Sequence, residues 1–268
     1  MLCVCVCFLI FAMAATLPSK STHAPAVEVT TGSLHGTLRY IIRKRTGEKP
    51  KATLLLLHGG CFVEGDETYN ADQALGLVHD LHVQVVTCNF AQTNFNDTMS
   101  DIRVMIDFCR GLDEPNIPVG VIGCSSGGYF ALCLALDATV SLNMVIAVCP
   151  VALPKARLAY LLSEDCSLDQ STRAKMIRMQ NAYWSDSHSM DDADARILDA
   201  KHVWCVKPIC IFGNHDKNVP DSVSQLFLNA CKTHANRHVQ IRVLDGGHEL
   251  CFKPFPTVNA VIEAALHA

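Results

Sequence analysis

Two kinds of segment alternate along the chain from Ala52 to the C-terminus. Short, continuously apolar runs such as ATLLLL at 52–57 are typical of strands that are covered on both faces. Between them lie longer segments whose apolar residues recur at helical spacing. Because strands and helices alternate, the connections favour an α/β fold, in which a parallel sheet carries helices on both faces. The predicted strands are 52–57, 83–88, 119–122, 142–148, 207–212 and 238–244, and the predicted helices are 70–79, 99–109, 129–136, 221–232 and 256–268.

Two segments depart from this alternation. Residues 27–45 alternate apolar and polar positions on both sides of a turn near Gly32 to Gly36, which predicts an antiparallel hairpin at the sheet edge. Residues 151–202 contain weakly amphipathic helical pieces and the acidic run SDSHSMDDAD. A connection of this length between two core strands is usually functional, and we interpret it as a cap or lid over the strand ends. The acidic run is typical of a solvated helix start, and a metal site there is the minor alternative.

The composition indicates one globular domain over residues 27–268. The chain has 268 residues, of which 50% are hydrophobic and 18% are charged, so it can bury a sizeable core. A net charge of -4 without a block of like charges gives no footprint for nucleic acid or for an anionic membrane surface. These properties leave a small-molecule substrate as the default expectation. They predict nothing about the oligomeric state.

The N-terminus and the cysteines give different indications about the cellular compartment. Residues 1–18 form an apolar run that resembles a secretory signal or a short anchor, although it lacks a positively charged start. If it acts as a signal, the protein is secreted or endomembrane and this segment is the expected membrane contact; otherwise the protein is cytoplasmic. The alternatives are a non-native extension or a first segment that packs on the domain. Many of the 14 cysteines fall inside strand or helix patterns, which is typical of small buried hydrophobes. Their spacing indicates no disulfide framework and no metal site.

The sequence IPVGVIGCSSGGYFAL at 117–132 predicts a strand, a sharp turn and a helix. The turn carries Ser125 between Gly123 and Gly127, which matches the pattern GxSxG. Side chains larger than glycine at these two positions would collide with the neighbouring strand and helix. The serine hydroxyl would project from the sheet at a helix N-terminus, where free amides favour negative charge. Ser126 is the alternative nucleophile, but it is not centred between the glycines.

Consecutive glycines follow the first buried strand, in the segment His58-Gly59-Gly60. They allow the backbone to turn so that amide groups face a pocket, where an oxyanion can accept hydrogen bonds. We therefore predict that the amides of Gly59, Gly60 and Ser126 form an oxyanion hole, while His58 braces the loop. The alternative is an ordinary tight turn.

Polar groups suited to nucleophilic catalysis follow separate strands: Ser125, Asp216 and His248. The carboxyl ends of parallel strands share one edge of a sheet, so residues placed just after the strands converge there. A histidine in contact with a serine can remove its proton, and an aspartate can orient that histidine. Asp245 and Glu249 are alternative acids, but they lie on the same short loop as His248. His215, the alternative base, adjoins the predicted acid.

These motifs together resemble a known family. HGGCFVEGD, GCSSGG, GNHDKNVP and DGGHEL look like an α/β-hydrolase-fold serine hydrolase, close to the esterases and lipases with an HGGG-type loop, over Ala52 to the C-terminus. The resemblance implies oxyanion amides at Gly59 and Gly60, a nucleophile at Ser125, an acid at Asp216 and a base at His248. Cys61 replaces the third glycine of the loop, and Cys124 and Ser126 differ from the hormone-sensitive-lipase group.

This resemblance implies hydrolysis of a carboxylic ester with a small or medium acyl chain. The reaction would pass through an acyl-enzyme and would need no metal or cofactor. Amide or peptide hydrolysis uses the same residues. The alternative of another class is a non-catalytic binding module of the same fold. Because the predicted triad and both loop glycines are present, the sequence favours an enzyme.

Overall fold

The computed structural model describes residues 25–112, 117–184, 189–199, 203–233 and 239–267. Within them, eight strands form one sheet in the order β1-β2-β4-β3-β5-β6-β7-β8. The strands are β1 (Val27–Leu34), β2 (Leu38–Arg45), β3 (Thr53–Leu57), β4 (Gln84–Cys88), β5 (Val119–Cys124), β6 (Met144–Val148), β7 (Ile209–Gly213) and β8 (Gln240–Leu244). β1 and β2 pair antiparallel, as does β2 with β4, and the remaining neighbours are parallel.

Helices cover both faces of the sheet. They are α1 (Ala71–Leu81), α2 (Phe95–Gly111), α3 (Ser126–Ala135), α4 (Pro154–Leu162), α5 (Gln170–Tyr183), α6 (Met190–Leu198), α7 (Asp221–Thr233) and α8 (Pro256–Leu266), with a short 3₁₀ helix at His248–Cys251. One apolar cluster joins the sheet to α1 and α8, and a second joins the opposite face to α2, α3 and α7. The central strands are buried along their whole length, which explains their continuous apolar runs.

The segment between β6 and β7 contains three helices, α4 to α6, which we call the helical insertion. Their apolar faces join the cluster of α2, α3 and α7, through residues such as Tyr183, Trp184 and Ile197. Asp194 of α6 accepts hydrogen bonds from the backbone N–H groups of Lys155 (3.0 Å) and Ala156 (3.3 Å) at the start of α4. The insertion is therefore packed as part of the domain.

The sequence pattern predicts these elements to within a few residues at each end. The largest difference is at α2, which begins at Phe95, four residues before its predicted start. α3 begins at Ser126, directly after the turn residue. The candidate signal or anchor at 1–18 lies outside the described residues, as do 185–188 of the acidic run. In the part of the chain that the structure describes, no helix is long and apolar enough to cross a membrane. All 11 cysteines there are free thiols, most of them buried.

Candidate active site

Ser125 occupies the turn between β5 and α3 with a strained backbone conformation, φ 56° and ψ −117°. A non-glycine residue with φ in this range raises the free energy of the fold by about 1–3 kcal/mol, so neighbouring groups must hold Ser125 in this conformation. Its N–H donates to the carbonyl of Val148 (2.9 Å), and its carbonyl accepts from Val151 (3.0 Å). A Cβ on Gly123 would lie 2.2 Å from the Gly127 carbonyl oxygen, and one on Gly127 would lie 2.4 Å from that of Leu57. Both glycines are therefore required by close backbone approach.

A continuous hydrogen-bonded line joins the three polar residues predicted to converge at the sheet edge. The Oγ of Ser125 lies 2.9 Å from Nε2 of His248, and Nδ1 of His248 lies 2.8 Å from Oδ2 of Asp216. Ser125 and Asp216 are buried, whereas the His248 side chain keeps 14% of its surface exposed. The imidazole can therefore reach both a buried hydroxyl and an open cavity.

The environment of Asp216 keeps its carboxylate ionised. Burial by itself would raise its pKa, but the hydrogen bond and charge of His248 lower it, and so do two backbone amides. These amides belong to Asn218 and Val219, which donate to Oδ1 over 2.8 and 2.9 Å. The net effect is a pKa below the ordinary value of an aspartate. An ionised carboxylate accepts a hydrogen bond from the Nδ1–H group of His248, which keeps the proton on Nδ1 and leaves Nε2 free to accept one from Ser125.

The alternative residues weighed from the sequence have other partners. Asp245 pairs with Nε2 of His215 over 3.2 Å, and both side chains are largely exposed. Glu249 accepts a hydrogen bond from the Gly247 amide over 2.8 Å. The structure therefore joins Asp216, rather than either neighbouring acid, to His248.

The glycine loop after β3 lies directly beside Ser125. A Cβ on Gly59 would lie 3.0 Å from the Cβ of Ser125. The ring of His58 stacks on Phe90, with 4.1 Å between ring centroids, and its Nδ1 lies 2.6 Å from the carbonyl oxygen of Gly59. Burial lowers the pKa of His58 to about 4, so the ring is neutral and Nδ1 is the donor to this carbonyl. In a trans peptide the N–H points opposite to the C=O. His58 therefore turns the Gly60 N–H away from itself.

Gly60 and the next two residues form a tight turn that no ordinary sequence adopts easily. Gly60, Cys61 and Phe62 all have positive φ, at 110°, 50° and 73°. A Cβ on Gly60 would lie 1.9 Å from the carbonyl oxygen of Glu64. Phe62 is buried and stacks against Tyr183 of α5, with 5.2 Å between centroids. The turn is thus anchored in the core and against the helical insertion.

Arg157 of α4, whose role the sequence pattern did not indicate, ties the helical insertion to both loops. It is fully buried, and no described residue forms an ion pair with it. Its guanidinium donates to the Asn218 carbonyl (3.2 Å), the Asn218 side chain (3.1 Å from Nε) and Oε1 of Gln180 (2.7 Å). It also lies 3.6 Å from Sγ of Cys61. One side chain therefore contacts the loop of the acid and the loop of the glycines.

A cavity of about 400 Å³ opens beside His248, between the strand ends and the helical insertion. The insertion contributes Leu168 and Met176, and the loops after β7 and β8 contribute the rest. Met176 of α5 lines this cavity and also accepts a hydrogen bond from Arg157. The cavity is large enough for a small organic molecule.

Comparison with known proteins agrees with this architecture. A family model described as the alpha/beta hydrolase fold matches residues 54–248, a range that includes Ser125, Asp216 and His248. The chain belongs to the alpha/beta hydrolase fold family. No curated protein matches it in sequence.

Among solved structures, esterases resemble this alpha/beta hydrolase throughout most of their length. An esterase from the archaeon Pyrobaculum calidifontis is 18% identical, with a TM-score of 0.67 over 90% of this chain and 85% of the esterase. One from Rhizomucor miehei is 16% identical, with a TM-score of 0.68 over 91% and 84%. Esterase B from Lactobacillus rhamnosis is 16% identical, with a TM-score of 0.67 over 90% and 86%. At these identities the likeness concerns the fold, and it confirms the predicted α/β-hydrolase architecture.

Proposed function

We propose that this alpha/beta hydrolase cleaves carboxylic esters through an acyl-enzyme intermediate, with Ser125 as nucleophile, His248 as general base and acid, and Asp216 as the orienting acid. The single observation that carries the proposal is the line of hydrogen bonds from Ser125 Oγ through His248 to Asp216, over 2.9 and 2.8 Å. A serine hydroxyl is a weak nucleophile at neutral pH, and this contact is what activates it.

The reaction follows from the position of each proton. As Ser125 Oγ attacks the ester carbonyl carbon, Nε2 of His248 accepts the hydroxyl proton, and Asp216 stabilises the resulting imidazolium. The same proton then passes to the alkoxy oxygen as its bond to the carbonyl carbon breaks and the alcohol leaves. Water repeats the sequence on the acyl-enzyme, which releases the carboxylic acid and restores Ser125. His248 can exchange protons with both water and substrate because it lines the cavity and its side chain is partly exposed.

Backbone amides near Ser125 are proposed to stabilise the negative charge that develops during the reaction. The Gly60 N–H is turned away from the His58 ring, and Ser126 N–H lies in the first turn of α3, where amides have no partner within the helix. Together with the Gly59 amide they are suited to stabilise the oxyanion of the tetrahedral intermediate. Such donors are each typically worth about 10²–10³ in rate.

The helical insertion is proposed to act as the cap that limits the acyl chain. It borders the cavity through Leu168 and Met176, and the cavity volume of about 400 Å³ suits a small or medium ester better than a long-chain lipid. Hydrolysis of an amide would use the same residues, and we propose the ester because its alkoxide leaving group departs more readily.

Labelling with a fluorophosphonate probe tests the nucleophile, since this reagent reacts only with an activated serine. We expect one label per chain, and none in Ser125→Ala. A screen of p-nitrophenyl esters of increasing chain length should show a maximum at short or medium chains. Ser126→Ala, which keeps the backbone amide, should label normally. If folded wild-type protein does not label, the non-catalytic binding module becomes the better interpretation.

A further inference from the structure

Three buried thiols lie directly behind the proposed catalytic residues. Cys124 precedes Ser125 at the end of β5, Cys149 follows β6, and Cys251 ends the 3₁₀ helix that begins at His248. The thiol of Cys251 contacts those of Cys124 and Cys149. Cys251 Sγ also donates to the Val148 carbonyl over 3.2 Å. The proposed ester hydrolysis uses none of these thiols.

Two of the thiols and the catalytic histidine form a compact set of metal ligands. A ring nitrogen of His248 and the sulfur atoms of Cys149 and Cys251 all lie within 4.8 Å of one another. His248 and Cys251 are three residues apart in a 3₁₀ helix, in which residues at this spacing fall on the same side. Zn²⁺ binds thiolate at about 2.3 Å and imidazole at about 2.0–2.1 Å, so tetrahedral ligands are about 3.5–3.8 Å apart. Because the present separations are at most 4.8 Å, a contraction of no more than about 1.3 Å would close the site.

We propose that Cys149, His248 and Cys251 bind a thiophilic divalent cation such as Zn²⁺, and that this ion inhibits the enzyme by occupying the catalytic histidine. Binding displaces two thiol protons to solvent, and the ion receives a lone pair from each sulfur and from one ring nitrogen. Three protein ligands leave a fourth position for water. Of the three ligands, His248 borders the cavity, whereas both thiols are buried.

Inhibition follows whichever ring nitrogen binds the ion. A metal on Nε2 removes the lone pair that accepts the Ser125 proton. A metal on Nδ1 breaks the hydrogen bond to Asp216 and leaves the remaining proton on Nε2, so that nitrogen can no longer act as a base. The part of this inference that concerns inhibition rests on the proposed function, whereas the part that concerns metal binding does not.

Metal binding is measured first, with the full chain and with ZnCl₂ or CoCl₂ as the probe. We expect calorimetry to give one Zn²⁺ per chain, and Co²⁺ to produce thiolate-to-metal charge-transfer bands. Cys149→Ala and Cys251→Ala should each weaken Zn²⁺ binding at least tenfold and remove these bands. The matched control is Cys210→Ala, a buried thiol in β7. Wild-type affinity in both ligand variants, or no stoichiometric Zn²⁺ binding by wild type, would overturn the proposal.

Inhibition is measured on the same proteins with a p-nitrophenyl ester, each relative to its own metal-free rate. Zn²⁺ should inhibit wild type and Cys210→Ala reversibly, with recovery on adding EDTA, and should inhibit the ligand variants at least tenfold less strongly. If the ligand variants fail to fold, the cobalt spectrum of wild type still decides, because absence of charge-transfer bands contradicts thiolate ligation. A protein that binds Zn²⁺ but hydrolyses no ester would refute the proposed function and leave the metal site standing.

Discussion

The edge of the sheet and the helical insertion hold their functional residues by different means. At the sheet edge, backbone conformation fixes the positions of these residues. Ser125 has φ 56° and Gly60 has φ 110°, and both positions follow from close contacts between main-chain segments. The insertion instead depends on side chains, above all on the buried Arg157 and its neutral partners Asn218 and Gln180. Backbone constraints leave a glycine pattern in the sequence, whereas a side-chain network leaves none. The two regions should therefore respond differently to substitution.

The largest expected effect comes from Asp216→Asn at the sheet edge. An amide there donates to Nδ1 of His248 and forces the proton onto Nε2, so the ring can no longer accept the proton of Ser125. We expect kcat to fall by about 10⁴-fold, with little change in stability. The matched control is Asp245→Asn, because Asp245 is an exposed acid that pairs with His215. Equal activity of the two variants in a p-nitrophenyl ester assay would remove Asp216 from the proposed triad.

The next effect comes from Gly60→Ala, which tests the glycine loop. The added Cβ would lie 1.9 Å from the Glu64 carbonyl oxygen, so the turn must open and move its amides. We expect a loss of about 10²–10³ in kcat. The control is Gly36→Ala, which also has positive φ, 77°, but has no atom within 4 Å of the added Cβ. Thermal unfolding should reveal strain in both variants, while the activity loss should be confined to Gly60→Ala.

The convergence of residues at the sheet edge is predictable from the sequence for a physical reason. Residues that directly follow parallel strands share one edge of the sheet, so Ser125, Asp216 and His248 could be predicted to lie together. The glycines at 123 and 127, which the turn requires, also mark the position of Ser125 in the sequence. Arg157 could not be found this way, since an arginine on a weakly amphipathic helix is usually a surface charge. Cys149 and Cys251 come from separate loops, so their spacing carries no metal signature.

A smaller effect is expected for Arg157→Lys in the insertion. Lysine keeps the buried charge but cannot span both Asn218 and Gln180, because its donors radiate from a single nitrogen. We expect a loss of about 2–4 kcal/mol in the free energy of unfolding. The backbone amide of Asn218 also donates a hydrogen bond to Asp216. We therefore expect kcat to fall about tenfold, which corresponds to a rise of about 1.4 kcal/mol in the activation barrier.

Urea unfolding and ester kinetics on the same samples check both parts of this expectation for Arg157. Arg103→Lys is the control, because Arg103 makes a partly exposed ion pair with Asp137 and should lose little. A variant at 157 that is destabilised but keeps the wild-type kcat would show that Arg157 supports the insertion alone. Such a result would separate the insertion from the sheet edge energetically.

The smallest effect concerns Asp194, which joins α6 to the start of α4. Burial raises its pKa to about 6 against the opposing effect of the Lys155 and Ala156 amides, compared with 3.8 for an ordinary aspartate. The folded state therefore binds more protons than the unfolded state between about pH 4 and pH 6. This contribution to stability is complete below pH 4 and is lost as the pH rises through 6. Asp194→Asn should flatten that fall in urea midpoints measured from pH 4 to 7. Asp192→Asn, at an exposed acid in the first turn of the same helix, should retain it. If the urea midpoint of Asp194→Asn depends on pH as strongly as that of wild type, another group in the domain titrates in this range. The insertion would then differ from the sheet edge in its hydrogen bonds and not in its response to pH.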